Sequence, residues 1–77
     1  MENYFNHIEL NPGIMLGKAV IKGTRIIVGS ILEELASGYT IQQVTKAHPN
    51  LTEADVFAAL GYASAIMKNE KIYTAAS

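Results

Sequence analysis

Apolar residues recur at helical spacing in the second half of the chain and alternate with polar residues over short stretches of the first half. Val56, Leu60, Ala63 and Met67 follow an i, i+4, i+7, i+11 spacing, which places them on one side of a helix. Residues 8–10 read apolar, polar, apolar, as a short half-buried strand does. The pattern therefore predicts short extended segments followed by helices.

Three capping-box signatures predict where the helices begin. Such a box has Ser or Thr at the N-cap and a hydrogen-bond-accepting side chain three residues later. The three pairs are Ser30 with Glu33, Thr40 with Gln43, and Thr52 with Asp55. Because each cap satisfies backbone N–H groups that the first helical turn leaves without partners, we expect a helix after each one.

Glycine and proline mark the ends of the first two helices. The first helix is predicted over residues 31–37, because Gly38 can adopt the left-handed conformation that terminates a helix. The second is predicted over residues 41–48, because Pro49 cannot continue it. The third is predicted from residue 53 to about residue 70. It contains Gly61, which indicates either close approach of another element or a tolerated surface glycine.

The segment before the helices is predicted to form an extended arm. Asn11-Pro12-Gly13 is typical of a type II turn. Residues 19–22 and 25–28 are two further extended pieces, and Gly23 lies between them where the chain must reverse. The predicted fold is one mostly α domain over residues 1–77. It has a β arm or hairpin over 8–28 and a homeodomain-like, helix-turn-helix-like three-helix unit over 30–70.

Size, hydrophobicity and cysteine content narrow the functional classes. A chain of 77 residues that is 49% hydrophobic is small and apolar, which favours burial of apolar surface in a homodimer. The chain has no cysteine, so disulfides and Cys-based zinc sites are excluded. It shows neither a signal-peptide pattern nor an apolar run approaching the ~20 residues of a membrane span. We therefore expect a cytoplasmic protein without a membrane partner.

Positive charge is concentrated in the arm. Lys18, Lys22 and Arg25 are three of the six cations, whereas all seven acidic residues lie outside residues 10–32. Lys and Arg side chains bind phosphate groups, so Lys18, Lys22, Thr24 and Arg25 are candidate nucleic-acid-binding residues. The alternatives are that the cations are only solvated, or that Arg25 forms a structural salt bridge with a carboxylate of the first helix.

The second and third helices have the spacing of a helix-turn-helix, but the third lacks side chains that read DNA. Its first turn carries Glu53 and Asp55, which would repel phosphate groups. Ala54, Phe57 and Ala58 offer no hydrogen bonds to base edges. We therefore interpret these two helices mainly as packing elements and expect any contact with double-stranded DNA to be made by the arm.

Neither a catalytic motif nor a ligand set is present. His7 and His48 are far apart and lack metal-ligand spacing, and no nucleophile elbow or glycine-rich phosphate loop occurs. His48, near a helix C-terminus, is interpreted as a packed ring or a cation at the helix end. We expect no enzymatic activity, no cofactor and no metal.

Residues 8–67 resemble the domain of unknown function 433 family. The matching motifs are Gly17-Lys18, Ile21-Lys22-Gly23-Thr24-Arg25-Ile26, His48-Pro49-Asn50-Leu51-Thr52 and Ala59-Leu60-Gly61-Tyr62-Ala63. Two departures are Ala19, where the family usually has proline, and His48, where it usually has an aromatic residue. The resemblance implies a homeodomain-like unit with a β arm, often homodimeric. Such proteins are commonly described as predicted antitoxins paired with PIN-like nuclease toxins.

Three hypotheses for the function follow. The first is an antitoxin-like regulatory module that binds a partner toxin and its own operator DNA. The second is a stand-alone DNA-binding repressor, and the third is a structural homodimerisation module. A neighbouring nuclease gene would favour the first, whereas salt-sensitive DNA binding without such a neighbour would favour the second.

Overall fold

Two short strands and three helices make up the fold, which is mostly helical as predicted. A computed structural model describes residues 6–10, 12, 13 and 18–76, with side chains in the last helix described as far as residue 68. The elements in chain order are β1 (Ile8–Glu9), β2 (Val20–Ile21), α1 (Val28–Ala36), α2 (Ile41–Ala47) and α3 (Glu53–Ala76).

The strand β2 lies in the middle of the arm and pairs on both sides. It is antiparallel to β1, with Ile8 opposite Ile21 and Glu9 opposite Val20. On its other edge, Val20 forms an antiparallel bridge with Ile27. The extended segments predicted at residues 8–10, 19–22 and 25–28 are thus brought together. The predicted turn at residues 11–13 includes Asn11, which lies outside the described residues.

The helix α1 begins at Val28, so the predicted Ser30–Glu33 capping box was wrong. The N-cap is Ile27, whose side chain makes no cap hydrogen bond. The N–H of Val28 instead donates to the carbonyl of Ala19 at 2.9 Å. The backbone of the arm therefore supplies a hydrogen-bond acceptor to one of the N–H groups that the first turn of a helix leaves without a partner. The bridge at Ile27 leads directly into α1, so the helix begins at the last residue of the segment predicted as the arm.

Gly38 ends α1 as predicted. Its φ is 104°, the left-handed conformation that glycine adopts without steric cost. The Gly38 N–H donates to the Leu35 carbonyl at 3.0 Å, and the Tyr39 N–H donates to the Glu34 carbonyl at 3.1 Å. These two bonds form the Schellman arrangement, which satisfies carbonyls at the helix end.

The other two predicted capping boxes are confirmed. The Thr40 hydroxyl accepts from the Gln43 N–H at 3.1 Å, and the Gln43 side chain accepts from the Thr40 N–H at 2.8 Å. Thr52 and Asp55 make the equivalent bonds at 3.2 and 3.0 Å. Helix α2 ends at Ala47, one residue before the predicted end, and α3 continues to Ala76, past the predicted end near residue 70.

A small apolar core joins the three helices to the arm. Ile31 of α1, Val44 of α2 and Val56 of α3 are fully buried, and each comes from a different helix. The whole cluster of buried residues is Ile8, Ile21, Val28, Ile31, Val44, Leu51, Val56, Ala58 and Ala59. Because β1 and β2 contribute side chains to this cluster, the arm is part of the core.

We predict that Thr52→Ala and Thr40→Ala each lower the free energy of unfolding by about 1 kcal/mol, because each removes a side-chain acceptor at a helix N-terminus. Chemical denaturation monitored by circular dichroism measures the change. Ser30→Ala is the matched control: since Ser30 lies inside α1 and does not cap it, its effect should stay within about 0.5 kcal/mol. A loss for Ser30→Ala equal to that of Thr52→Ala would contradict this assignment of the helix starts.

Candidate partner-binding groove and basic arm

The three cations of the arm are exposed and have no carboxylate partner among the residues that the structure describes. Lys18, Lys22 and Arg25 are all solvent-exposed. The salt bridges between described residues are both histidine–carboxylate pairs, so none of these cations pairs with a described acid. The alternative that Arg25 pairs with a carboxylate of α1 is therefore not observed.

Thr24 holds the turn that carries two of these cations. The Thr24 N–H donates to the Ile21 carbonyl at 2.9 Å, and Gly23 has the positive φ of 83° that such a reversal requires. The Thr24 hydroxyl donates to the same carbonyl at 2.8 Å and accepts from the Ile26 N–H at 3.0 Å. Because its hydroxyl makes both bonds, Thr24 positions its neighbours Lys22 and Arg25.

The first turn of α3 presents acid and apolar surface to solvent. Glu53 and Ala54 are exposed, and the side chain of Phe57 is 56% exposed. A duplex presents closely spaced phosphate charges, which the Glu53 carboxylate would repel. Ala54 and Phe57 have no group that can form a hydrogen bond with a base edge.

Both histidines pair with carboxylates on other elements. Nδ1 of His7 lies 2.8 Å from Oδ1 of Asp55, which joins the arm to the start of α3. Nε2 of His48 lies 2.8 Å from Oε2 of Glu34, which joins the end of α2 to α1. The sequence predicted that His48 lies at a helix end, but it did not predict the carboxylate partner of either histidine. His7 and Asp55 are 48 residues apart and His48 and Glu34 are 14 residues apart, and no local sequence pattern relates residues at these separations.

The two carboxylate oxygens of Asp55 take part in two different contacts. Oδ2 accepts from the Thr52 N–H and completes the cap of α3, while Oδ1 contacts His7. The cap fixes the carboxylate, so His7 meets an acceptor whose position is already set. One side chain thus sets both the start of α3 and the position of the arm.

An open apolar groove of about 520 Å³ lies between the segment just before β2, the N-terminal part of α1 and the middle of α3. Ile66 and Met67 of α3, which are 45% and 60% exposed, are among the residues that line it. Lys18 is the charged residue of the lining. The full lining is Lys18, Ala19, Ile27, Val28, Gly29, Leu32, Tyr62, Ala63, Ile66 and Met67. The sequence pattern did not predict this groove, because it is built from three elements with different periodicities.

The described part of the chain contains no cluster of three His, Asp or Glu side chains that could hold a metal ion. Within the same residues, no helix is long and apolar enough to cross a membrane.

Comparison with known proteins places the chain in a family. A family model described as a protein of unknown function, DUF433, matches residues 8–63. The chain belongs to the DUF433 family. A crystal structure of a DUF433 member protein from Anabaena variabilis is similar, with a TM-score of 0.77 and 28% sequence identity. The alignment covers 91% of this chain and 69% of that chain. The search of curated proteins gave no match.

The DUF433 match spans the arm, α1, α2 and the first part of α3. It therefore includes the three cations of the arm, Thr24, His48 and Asp55, but it does not include His7, Ile66 or Met67. The groove thus combines residues from within the matched segment with residues of α3 that follow it.

We predict that His7 and Asp55 are energetically coupled by about 1 kcal/mol, the size of a typical hydrogen bond in a partly exposed site. The measurement is a double-mutant cycle with His7→Ala, Asp55→Ala and the double variant in chemical denaturation. His7→Ala combined with His48→Ala is the control. These two side chains have different partners, so their effects should add to within about 0.5 kcal/mol. A coupling of zero between His7 and Asp55 would show that their contact contributes nothing to stability.

Proposed function

We propose that this chain is an antitoxin-like regulatory module that binds a partner protein through the groove between the arm, α1 and α3. The observation that carries the proposal is the groove itself, which is open to solvent although it is lined almost entirely by apolar side chains. Exposed apolar surface of this kind on a small domain typically marks an interaction site. The DUF433 resemblance supports a PIN-like nuclease toxin as the partner, bound in the cytoplasm.

The shape and charge of the groove indicate what the partner presents. Ile66 and Met67 on α3 and Leu32 on α1 line the groove, and none is fully buried. An apolar edge of a helix fits between such walls and buries these side chains. Lys18 adds a cation to the lining, so a carboxylate on the partner beside that apolar edge would fix its orientation. The module acts by binding, without catalysis and without a cofactor.

A second function, contact with operator DNA through the arm, is supported by the exposed cations. Lys22 and Arg25 flank the turn that Thr24 holds, and neither has a described carboxylate partner. Side chains held on a rigid turn lose less freedom when they bind phosphate groups. In this proposal Lys18, Lys22 and Arg25 contact the DNA backbone, and Thr24 positions the turn. Helix α3 does not enter the major groove of the DNA.

We predict that Ile66→Glu abolishes binding of the partner toxin, because it places a charge on an apolar wall of the groove. The test is co-expression with a PIN-like nuclease encoded next to the gene of this chain, followed by affinity purification through a tag on this chain. The expected result is co-purification with the wild type and loss of the nuclease with Ile66→Glu.

Phe57→Glu is the matched control for that experiment. Phe57 is also an exposed apolar residue of α3, 56% exposed, but it does not line the groove. It should therefore leave co-purification unchanged. If both variants retain the nuclease, the groove is not its binding site; if the wild type does not co-purify with it, the toxin-binding role is wrong.

We predict that replacing Lys18 and Lys22 with alanine weakens binding to duplex DNA of any sequence and flattens its salt dependence. Each lost phosphate contact should lower the slope of log affinity against log salt by about one. Fluorescence anisotropy with a labelled operator duplex and an unrelated duplex, over a range of salt concentrations, measures both effects.

Glu53→Gln is the control on α3. Because it removes an exposed negative charge from the first turn, it should leave DNA binding unchanged or slightly stronger. If substitutions on α3 abolish sequence-specific binding and the lysine changes have no effect, α3 is the DNA-reading helix. If no duplex binds at low salt, the DNA role is wrong and only the protein-binding role stands.

A further inference from the structure

A second exposed surface lies on α3, on the side away from the core. Six residues with i, i+4, i+7, i+8, i+11 and i+15 spacing fall within an arc of about 100° on the helix. We call this surface the outer face of α3; its residues are Glu53, Phe57, Leu60, Gly61, Ser64 and Lys68. Phe57 and Leu60 are 56% and 39% exposed, and Glu53, Ser64 and Lys68 are also exposed. None of the six lines the groove.

The outer face is arranged so that it complements itself. When two copies of α3 pack antiparallel about a twofold axis between Leu60 and Gly61, each residue of the first half faces one of the second half. Phe57 then lies opposite Ser64 of the other copy, and Leu60 lies opposite Gly61. Each large side chain meets a small one, which permits close packing of the two helices.

The same pairing brings opposite charges together. Glu53 lies at one end of the outer face and Lys68 at the other, and neither forms an ion pair with a described residue. In the antiparallel arrangement Glu53 of each copy faces Lys68 of the other, so the twofold axis creates two ion pairs. A parallel arrangement would instead place like charges side by side, which is unfavourable.

We propose that the outer face of α3 is a homodimer interface in which two copies pack antiparallel about an axis between Leu60 and Gly61. The proposal does not rest on partner binding in the groove, because none of the six residues of the outer face lines it. It also gives Gly61 a role. A residue without a side chain at the centre lets the two helices approach closely enough for Phe57 and Leu60 to be buried.

Charge reversal tests the pairing. Glu53→Lys and Lys68→Glu should each weaken dimerisation about tenfold, because each turns two attractive contacts into two repulsive ones. The double variant should restore dimerisation, and a mixture of the two single variants should form heterodimers in preference to homodimers. Sedimentation equilibrium measures the dissociation constants, and circular dichroism verifies that each variant is folded.

Disulfide formation tests the register, since the chain has no cysteine of its own. Leu60→Cys lies next to the proposed axis, where Cα atoms of two packed helices come within the range of about 4.4–6.8 Å that a disulfide needs. It should therefore form a covalent dimer under mild oxidation. Ala54→Cys is the matched control, because it is also exposed on α3 but lies about 20 Å along the axis from its counterpart.

Three results would overturn the proposal. The first is a monomer of about 8.3 kDa at high micromolar concentration. The second is a double charge variant that dimerises no better than the single variants. The third is a dimer that Ile66→Glu disrupts and Phe57→Glu leaves intact, which would place self-association in the groove. Loss of nuclease co-purification with an intact dimer would affect only the toxin-binding role.

Discussion

The contact between the arm and the start of α3 is the constraint on which the arrangement of surfaces depends. Asp55 caps α3 through one carboxylate oxygen and meets His7 through the other, while Ile8 and Ile21 bury their side chains in the same core as Val56. A two-residue strand pair is not stable alone in water. The core and this carboxylate hold the paired strands of the arm in place, and the turn that carries Lys22 and Arg25 follows directly from β2.

Features of the fold that depend on residues close together in the sequence could be predicted, whereas features that depend on distant residues could not. The caps at Thr40 and Thr52 were predicted because each is complete within four residues, and Gly38 was predicted because its conformation is a property of the residue itself. The start of α1 was not predicted. It depends on a hydrogen bond from Val28 to Ala19, which follows from the pairing of the arm and not from any local signal.

The candidate site was predicted only in part for the same reason. The cations could be read directly from the sequence as an uneven distribution of charge, but whether they pair with acids depended on where α1 lies. Thr24 was grouped with them as a candidate nucleic-acid-binding residue, and the two hydrogen bonds by which its hydroxyl holds the turn were not predicted. The groove could not be predicted from periodicity, because its walls come from non-strand residues of the arm and from two helices.

Helix α3 separates the proposed interactions by the direction in which its residues point. One side packs Val56 and Ala59 into the core and, farther along, lines the groove with Ile66 and Met67. The outer face borders this side, since Leu60 lies about 20° around the helix from Met67, and it extends from there to Gly61. None of its residues lines the groove, so the two proposed interactions use different side chains of the same helix.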